Sequence, residues 1–307
     1  MSYETCGWAP EVEQLVAVVQ ERHIGRAAQR LGIPQPTLSR SMARLAETLG
    51  VPLLLRDGRG VIPTRYAVTL SGHAERALAE LIAGVRRTRN EVDPRSGTIV
   101  LGFLHSLGPV TVPELLTRFA TSNPAIRVEL VQDSTDTLLA QVRRGTIDCC
   151  LAAPIDSDMP TDLASKVWTR QRLVAVVAAD HPWASRSRVS VQRLLEQQLI
   201  TMRPGYGLRS FTDSLFESAR RPPTYTFESH DIATAVGFAA AGLGVSILPE
   251  GSAAGAAREV TISDHRAHRD IRLFWTADLP SIPARRLRDE ILAVGHANND
   301  LSARRHP

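Results

Sequence analysis

The feature that most limits how this chain can fold lies between Arg26 and Leu49, where two segments of helical apolar spacing are separated only by Gly32-Ile33-Pro34. A glycine just past a helix end, followed by a proline, stops one helix and lets the next begin within a single tight turn. The first, short helix, near residues 26–31, turns Ala27, Ala28 and Leu31 inward. The second tolerates Pro36 in its first turn and sets Leu38, Met42, Leu45 and Leu49 along one buried stripe. Upstream, Val12, Leu15, Val16, Val18 and Val19 follow the spacing of a further amphipathic helix that ends near His23. Downstream, short apolar pieces at residues 53–55 and 61–63 flank Arg56-Asp57-Gly58-Arg59-Gly60, a turn signal between two strands. Three helices are thus followed by a hairpin wing.

The other face of the second helix is polar: Gln35, Thr37, Ser39, Arg40, Ser41 and Arg44. Between Gly25 and Ala46 the only charged residues are Arg26, Arg30, Arg40 and Arg44, a local +4 equal to the formal charge of the whole chain. Short polar side chains and arginines on a helix opened by a tight turn suit the major groove of double-stranded DNA. From Thr64, available as an N-cap, to about Asn90, apolar residues recur at helical spacing. Alone, that helix leaves Leu70, Leu78 and Leu81 open to water, which predicts pairing with a second subunit. Pro94-Arg95-Ser96-Gly97 then breaks the pattern as a hinge.

At 307 residues the chain is longer than one core usually organises. Beyond the hinge, strand signals at residues 99–104, 128–132 and 148–152 alternate with helical ones at 112–121 and 138–144. A second set runs from 172 to 248, and a strand at 271–276 and a helix at 284–294 close the chain. Such alternation argues for parallel βα units and an α/β class. The longest apolar stretch, residues 233–248, carries three glycines and stops at Pro249, so it reads as core and not as a membrane span. Residues 1–10 show no basic segment followed by an apolar one, which predicts a cytoplasmic protein.

The run Ala27-Ala28-Gln29-Arg30-Leu31-Gly32-Ile33-Pro34-Gln35-Pro36-Thr37-Leu38-Ser39-Arg40, with Leu49-Gly50-Val51-Pro52-Leu53 and Gly58-Arg59-Gly60-Val61, resembles the DNA-binding domain of LysR-type transcriptional regulators. The likeness continues in Val100-Leu101-Gly102-Phe103, Pro113-Glu114-Leu115-Leu116, Gly145-Thr146-Ile147-Asp148 and Gly242-Leu243-Gly244-Val245. It implies an N-terminal winged helix-turn-helix over residues 1–63, a linker helix and hinge over 64–95, and an effector domain over 96–307. That domain is expected to hold two α/β subdomains like a periplasmic binding protein, about 96–167 with 270–296, and about 168–269. The chain departs from the family at Pro34, where a hydroxyl-bearing N-cap is usual, and at Leu54-Leu55, which replaces an aromatic-acidic pair.

The resemblance also implies roles. Gln35, Pro36, Thr37, Ser39 and Arg40 face base edges or nearby phosphates, while Arg44, Arg56 and Arg59 hold the backbone. In the effector domain the expected cleft walls are Ser106 in the turn after the first strand, Ser134-Thr135 after the second, and Thr201-Met202-Arg203. Hydroxyls and free amides there, with Arg203 adding charge, suggest a small anionic effector. The implied partners are double-stranded DNA, that effector, and further copies of the chain as a homodimer or homotetramer. No cofactor, metal, membrane or catalytic group is expected.

Rival signals are weaker. Ser246 sits one glycine short of a nucleophile elbow, and Gly242-Leu243-Gly244 lacks the third glycine of a dinucleotide fingerprint and precedes a strand. His265 and His268 are two histidines in a polar connection, too few for a metal. Cys6, Cys149 and Cys150 give no even framework; the adjacent pair lies in an apolar strand and reads as buried, and peroxide-sensing members of the family use differently placed cysteines. The only lysine is Lys166. Two classes stay open on residues alone, a ligand-responsive transcription factor and a stand-alone binding or enzymatic α/β module, and the arginines from Arg26 to Arg44 discriminate between them.

Overall fold

The structure, a computed structural model, describes residues 9–58, 60–93, 95–155, 159–217, 222–278 and 281–304. It divides into two compact units at Val85/Arg86.

In the first unit, α1 (Ala9–Glu21), α2 (Ile24–Leu31) and α3 (Gln35–Leu49) close around Leu15, Val18, Ala27, Ala28, Leu38, Met42 and Leu45. His23 starts α2 by accepting the N–H groups of Gly25 and Arg26 on Nδ1, and Gly32, at φ 66°, ends it. Pro34 supplies no side-chain cap to α3, as its departure from the family predicts. The polar face is smaller than expected: Ser41 is buried, because it lies three residues after Leu38 and four before Leu45 on the same stripe.

The wing is β1 (Leu54–Asp57) paired antiparallel with β2 (Gly60–Pro63), so β1 takes in Arg56 and Asp57, which the sequence assigned to the turn. Leu54 packs on the core, whereas Leu55 stays exposed opposite Ile62. The hairpin is fastened to the helices by the Val61 N–H, which donates to the carbonyl of Arg22 at 3.1 Å. α4 (Arg65–Val92) is capped by Thr64, whose Oγ1 accepts the N–H of Ala67. Along α4, Leu81, Ile82 and Val85 are exposed, while Leu70 and Leu78 are half-buried, Leu70 against the core of the first unit.

The second unit is built on β3 (Gly97–Phe103), α5 (Thr111–Ser122), β4 (Ile126–Gln132), α6 (Thr135–Arg144) and β5 (Cys149–Ala152). It continues through β6 (Ala164–Ala178), β7 (Arg188–Val189), α7 (Val191–Leu194), β8 (Leu199–Met202), α8 (Gly207–Phe216), β9 (Tyr225–Ser229) and α9 (Ile232–Ala240). β10 (Val245–Pro249), β11 (Ala257–Ile262), β12 (His268–Trp275) and α10 (Ile282–Arg304) complete it. The strand order is β4-β3-β5-β12-β6-β10-β8-β9, with β11 beside β6 and β7.

The parallel units expected from the alternation are β4-β3-β5 and β10-β8-β9. Between them β6 and β12 run antiparallel, each beginning before its strand signal in the sequence, which starts at 172 and 271. β6 is twice as long as its apolar half: residues 164–172 pair with β12 and 173–178 with β10 and β11, so one strand belongs to both halves of the sheet. Its first half, Ala164-Ser165-Lys166-Val167-Trp168-Thr169-Arg170-Gln171, is too polar to be read as a buried strand.

Leu138 of α6 and Ile147, just after that helix, pack their side chains onto Gly102 of β3. A Cβ on Gly102 would stand 2.6 Å from Ile147 Cδ1, 2.8 Å from Leu138 Cδ2 and 2.9 Å from Cys150 Cβ, so these neighbours would have to shift to admit it. Gly102→Ala should therefore destabilise the second unit by about 1–3 kcal/mol through overpacking. Urea unfolding followed by the fluorescence of Trp168, Trp183 and Trp275, all in that unit, measures it; an unmoved midpoint would mean that α6 can shift to make room.

Candidate functional site

Gln35, Pro36, Thr37, Ser39 and Arg40 all lie exposed on α3, side by side on the face opposite Leu38 and Met42. The arginines are less free than their count suggests. Arg26 and Arg30 pair with Glu21, and Arg44 pairs with Glu11, which is itself buried at the start of α1. Arg40 has no carboxylate partner among the described residues, and its Nε donates back to the Pro36 carbonyl at 3.3 Å. Arg56 is exposed on β1, and Arg59 lies outside the described residues.

In the second unit, three predicted walls converge through a residue the sequence reading missed, Tyr206. Its ring stands 6.1 Å from that of His105, beside Ser106, and 6.3 Å from that of His230. Arg203 donates to His230 Nε2 at 2.9 Å, so that imidazole is an acceptor. The next residue, Gly207, opens α8 with no side-chain cap from Tyr206, and the position of an absent Cβ is 3.5 Å from Thr135 Oγ1. Thr135, the first residue of α6, is buried and exchanges hydrogen bonds with the backbone of Ala153. Two helix N-termini therefore meet at one place.

The other predicted residues divide. Ser134 is the N-cap of α6, accepting the Thr137 N–H, and Met202 is core. Thr201 is buried with an Oγ1 that has no partner among the described residues. Ser106 accepts a hydrogen bond of 2.6 Å from Nη2 of Arg269, the second residue missed. Arg269 is 2 % exposed and is held through Nε and Nη2 by Gln171, its cross-strand neighbour; no carboxylate pairs with it among the described residues. Burial lowers its guanidinium to about 10. A signal existed in the sequence: Arg269, Ile271 and Leu273 alternate inward on β12, but the strand seemed to begin only at Ile271.

The weak rivals become structural features. Ser246 Oγ donates to the Ile200 carbonyl at 3.0 Å inside the core, and Gly242, at φ 75°, turns the chain from α9 into β10. Cys149 and Cys150 are fully buried in β5, where burial pushes both thiols up; Cys6 lies outside the described residues. His268 Nδ1 meets the carbonyl of His265, and no metal-binding cluster occurs among the described residues.

Residues 11–68 match the family model of the bacterial regulatory helix-turn-helix protein, lysR family, and residues 93–295 match that of the LysR substrate binding domain. The chain belongs to the LysR family. This LysR-type protein is a DNA-binding transcriptional regulator with an effector-binding domain. It is 37 % identical over 240 residues to the uncharacterized HTH-type transcriptional regulator YybE of Bacillus subtilis, covering 78 % of this chain and 82 % of YybE. It is 28 % identical over 239 residues to the hydrogen peroxide-inducible genes activator of Pectobacterium carotovorum, covering 78 % of each. Full-length CbnR, solved with its target DNA, shares the fold with a TM-score of 0.75 at 20 % identity, covering 93 % of this chain and 99 % of that one. No helix among the described residues is long and apolar enough to cross a membrane.

Of Arg26, Arg30, Arg40 and Arg44 in this LysR regulator, Arg40 alone lacks an acidic partner among the described residues. Arg40→Ala should cost roughly 1–3 kcal/mol on the cognate site and less on unrelated DNA. Gel shifts on both duplexes measure this; equal losses on the two would make Arg40 a phosphate contact and not a base reader.

Proposed function

We propose that this regulator responds to a small anion, a carboxylate being the natural choice, held between its two α/β halves by Ser106, Thr135 and Arg269, with Thr201 and Arg203 on the opposite wall. On this reading Gln35, Pro36, Thr37, Ser39 and Arg40 read bases, and Arg44, Arg56 and Arg59 hold phosphates. The observation that carries the anion is Arg269. A buried charge costs several kcal/mol unless it is paired, and among the described residues this one has two neutral acceptors, Gln171 and Ser106, and no carboxylate. An arriving carboxylate would supply the missing partner and meet the amides at the starts of α6 and α8. Thiol chemistry is less well supported, although one relative is named for peroxide-inducible genes: the reactive form is the thiolate, and Cys149 and Cys150 are buried where it is disfavoured.

Titrating the full chain with benzoate, succinate and sulfate while following its melting temperature tests the reading. At least one anion should raise the melting temperature, and Arg269→Met should lose that response. Because the variant removes an uncompensated buried charge, its ligand-free melting temperature should equal or exceed the parent's, a trade of stability for function. Ser106→Ala with Thr135→Ala should weaken the response as well. Retention of the full anion effect by Arg269→Met would take Arg269 out of the site.

The exposed Leu81, Ile82 and Val85 of α4 support assembly of at least two copies through this helix. Light scattering should find an oligomer at micromolar concentration, and Leu81→Glu with Ile82→Glu should shift it towards monomer. A monomeric parent chain would refute the assembly.

A further inference from the structure

α6 has the proposed effector cleft at one end and the linker helix α4 at the other. Its first residue, Thr135, faces Gly207 across the cleft. The carbonyls just past its C-terminal end are where α4 is fastened. Arg86 Nη2 donates to the carbonyls of Gly145 (3.4 Å) and Thr146 (3.2 Å), and Arg87 Nη2 donates to that of Gly145 (3.2 Å). Arg86 also pairs at 3.3 Å with Asp148 Oδ2, an oxygen that accepts the Val100 N–H of β3 at 2.8 Å. One turn further along α4, the Asn90 side chain both donates to and accepts from the backbone of Thr98, at 2.8 and 3.0 Å. Two cations thus sit on the negative end of α6, while the cleft lies at its positive end.

We propose that α6 is a lever between the two sites: an anion gripping its first turn tilts it, and the Arg86–Arg87 clamp on its last turn passes the tilt to α4. The inference rests on the cleft being the effector site. Three observations carry it beyond adjacency. α6 has ten residues, a rod of about 15 Å, short enough for a displacement of its first turn to reach its last, and its Leu138 side chain packs on Gly102 of β3. The clamp holds the turn that ends α6, since both arginines take the carbonyl of its C-cap Gly145, φ 71°, and Arg86 also takes that of Thr146. The joint is also under-bonded: Arg86 Nε, Arg87 Nε and Asp148 Oδ1 are buried without partners among the described residues. Two unmet donors and an unmet acceptor in one joint give it a second pairing to adopt, the two-state element that coupling needs.

Coupling is reciprocal, so the lever can be driven from the DNA side without knowing the effector. The probe is a duplex enriched from random-sequence DNA by the full chain. Hydrogen exchange is followed at residues 135–139, in the first turns of α6. In the parent chain, bound duplex should change their exchange rate by about fivefold or more, the lower bound of ordinary coupling. Arg87→Met, which keeps the packed stem of the side chain, should bind the duplex normally and lose most of that change, and Arg87→Lys should restore part of it. Arg86→Met with Asp148→Asn removes the buried pair without stranding a charge and should behave like Arg87→Met. A parent chain whose residues 135–139 ignore DNA overturns the lever, as does full response in both clamp variants. Neither outcome depends on which anion, if any, fills the cleft, so failure of the effector reading shows separately in the melting experiment.

Discussion

The second unit depends on β6 serving two half-sheets. A strand hydrogen-bonded to β12 over one half of its length and to β10 and β11 over the other cannot slide without breaking ladders on both sides. β12 completes the return crossing, so two strands join the halves. Gln171 and Arg269 are partners across those strands. The buried guanidinium therefore sits where the crossing strands join the two halves.

That placement carries a cost the core has to offset. Cys149, Cys150, Leu151 and Ala152 are fully buried, as are Leu173, Ala175 and Val176, and their burial stabilises the sheet whatever Arg269 does. Arg269 itself is held by neutral oxygens, so its charge is poorly compensated. Active and ligand-binding sites commonly retain such residues at the expense of stability. The hydroxyl of Ser106 has a similar logic: its hydrogen bond aims the guanidinium instead of neutralising it.

Much of this organisation was legible in the sequence because local signals agreed. Gly32 and Gly50 end helices in the left-handed region, Thr64 caps α4, and Leu38, Met42 and Leu45 form the stripe that their spacing demands. What escaped detection is non-local. The first half of β6 is polar and becomes a strand only because β12 lies beside it, and β11 is similarly defined by β6. Arg269 looked like part of a polar connection until the inward alternation of β12 made it a buried residue. Tyr206 was passed over because nothing along the chain reveals that His105 and His230, far apart in sequence, stand on either side of it.

The acidic partners of Arg26, Arg30 and Arg44 bear on how the molecule searches a genome. Attraction to any stretch of duplex comes from cations that displace condensed counterions, and glutamates at positions 11 and 21 already neutralise part of that charge. Neutralised charge of this kind lowers the sequence-independent part of duplex affinity. If Gln35, Thr37 and Ser39 read bases as proposed, residence on the right site would depend on their uncharged hydrogen-bonding groups, whose pairing improves only when the bases match. Weak general adhesion in this way widens the ratio between right and wrong sites.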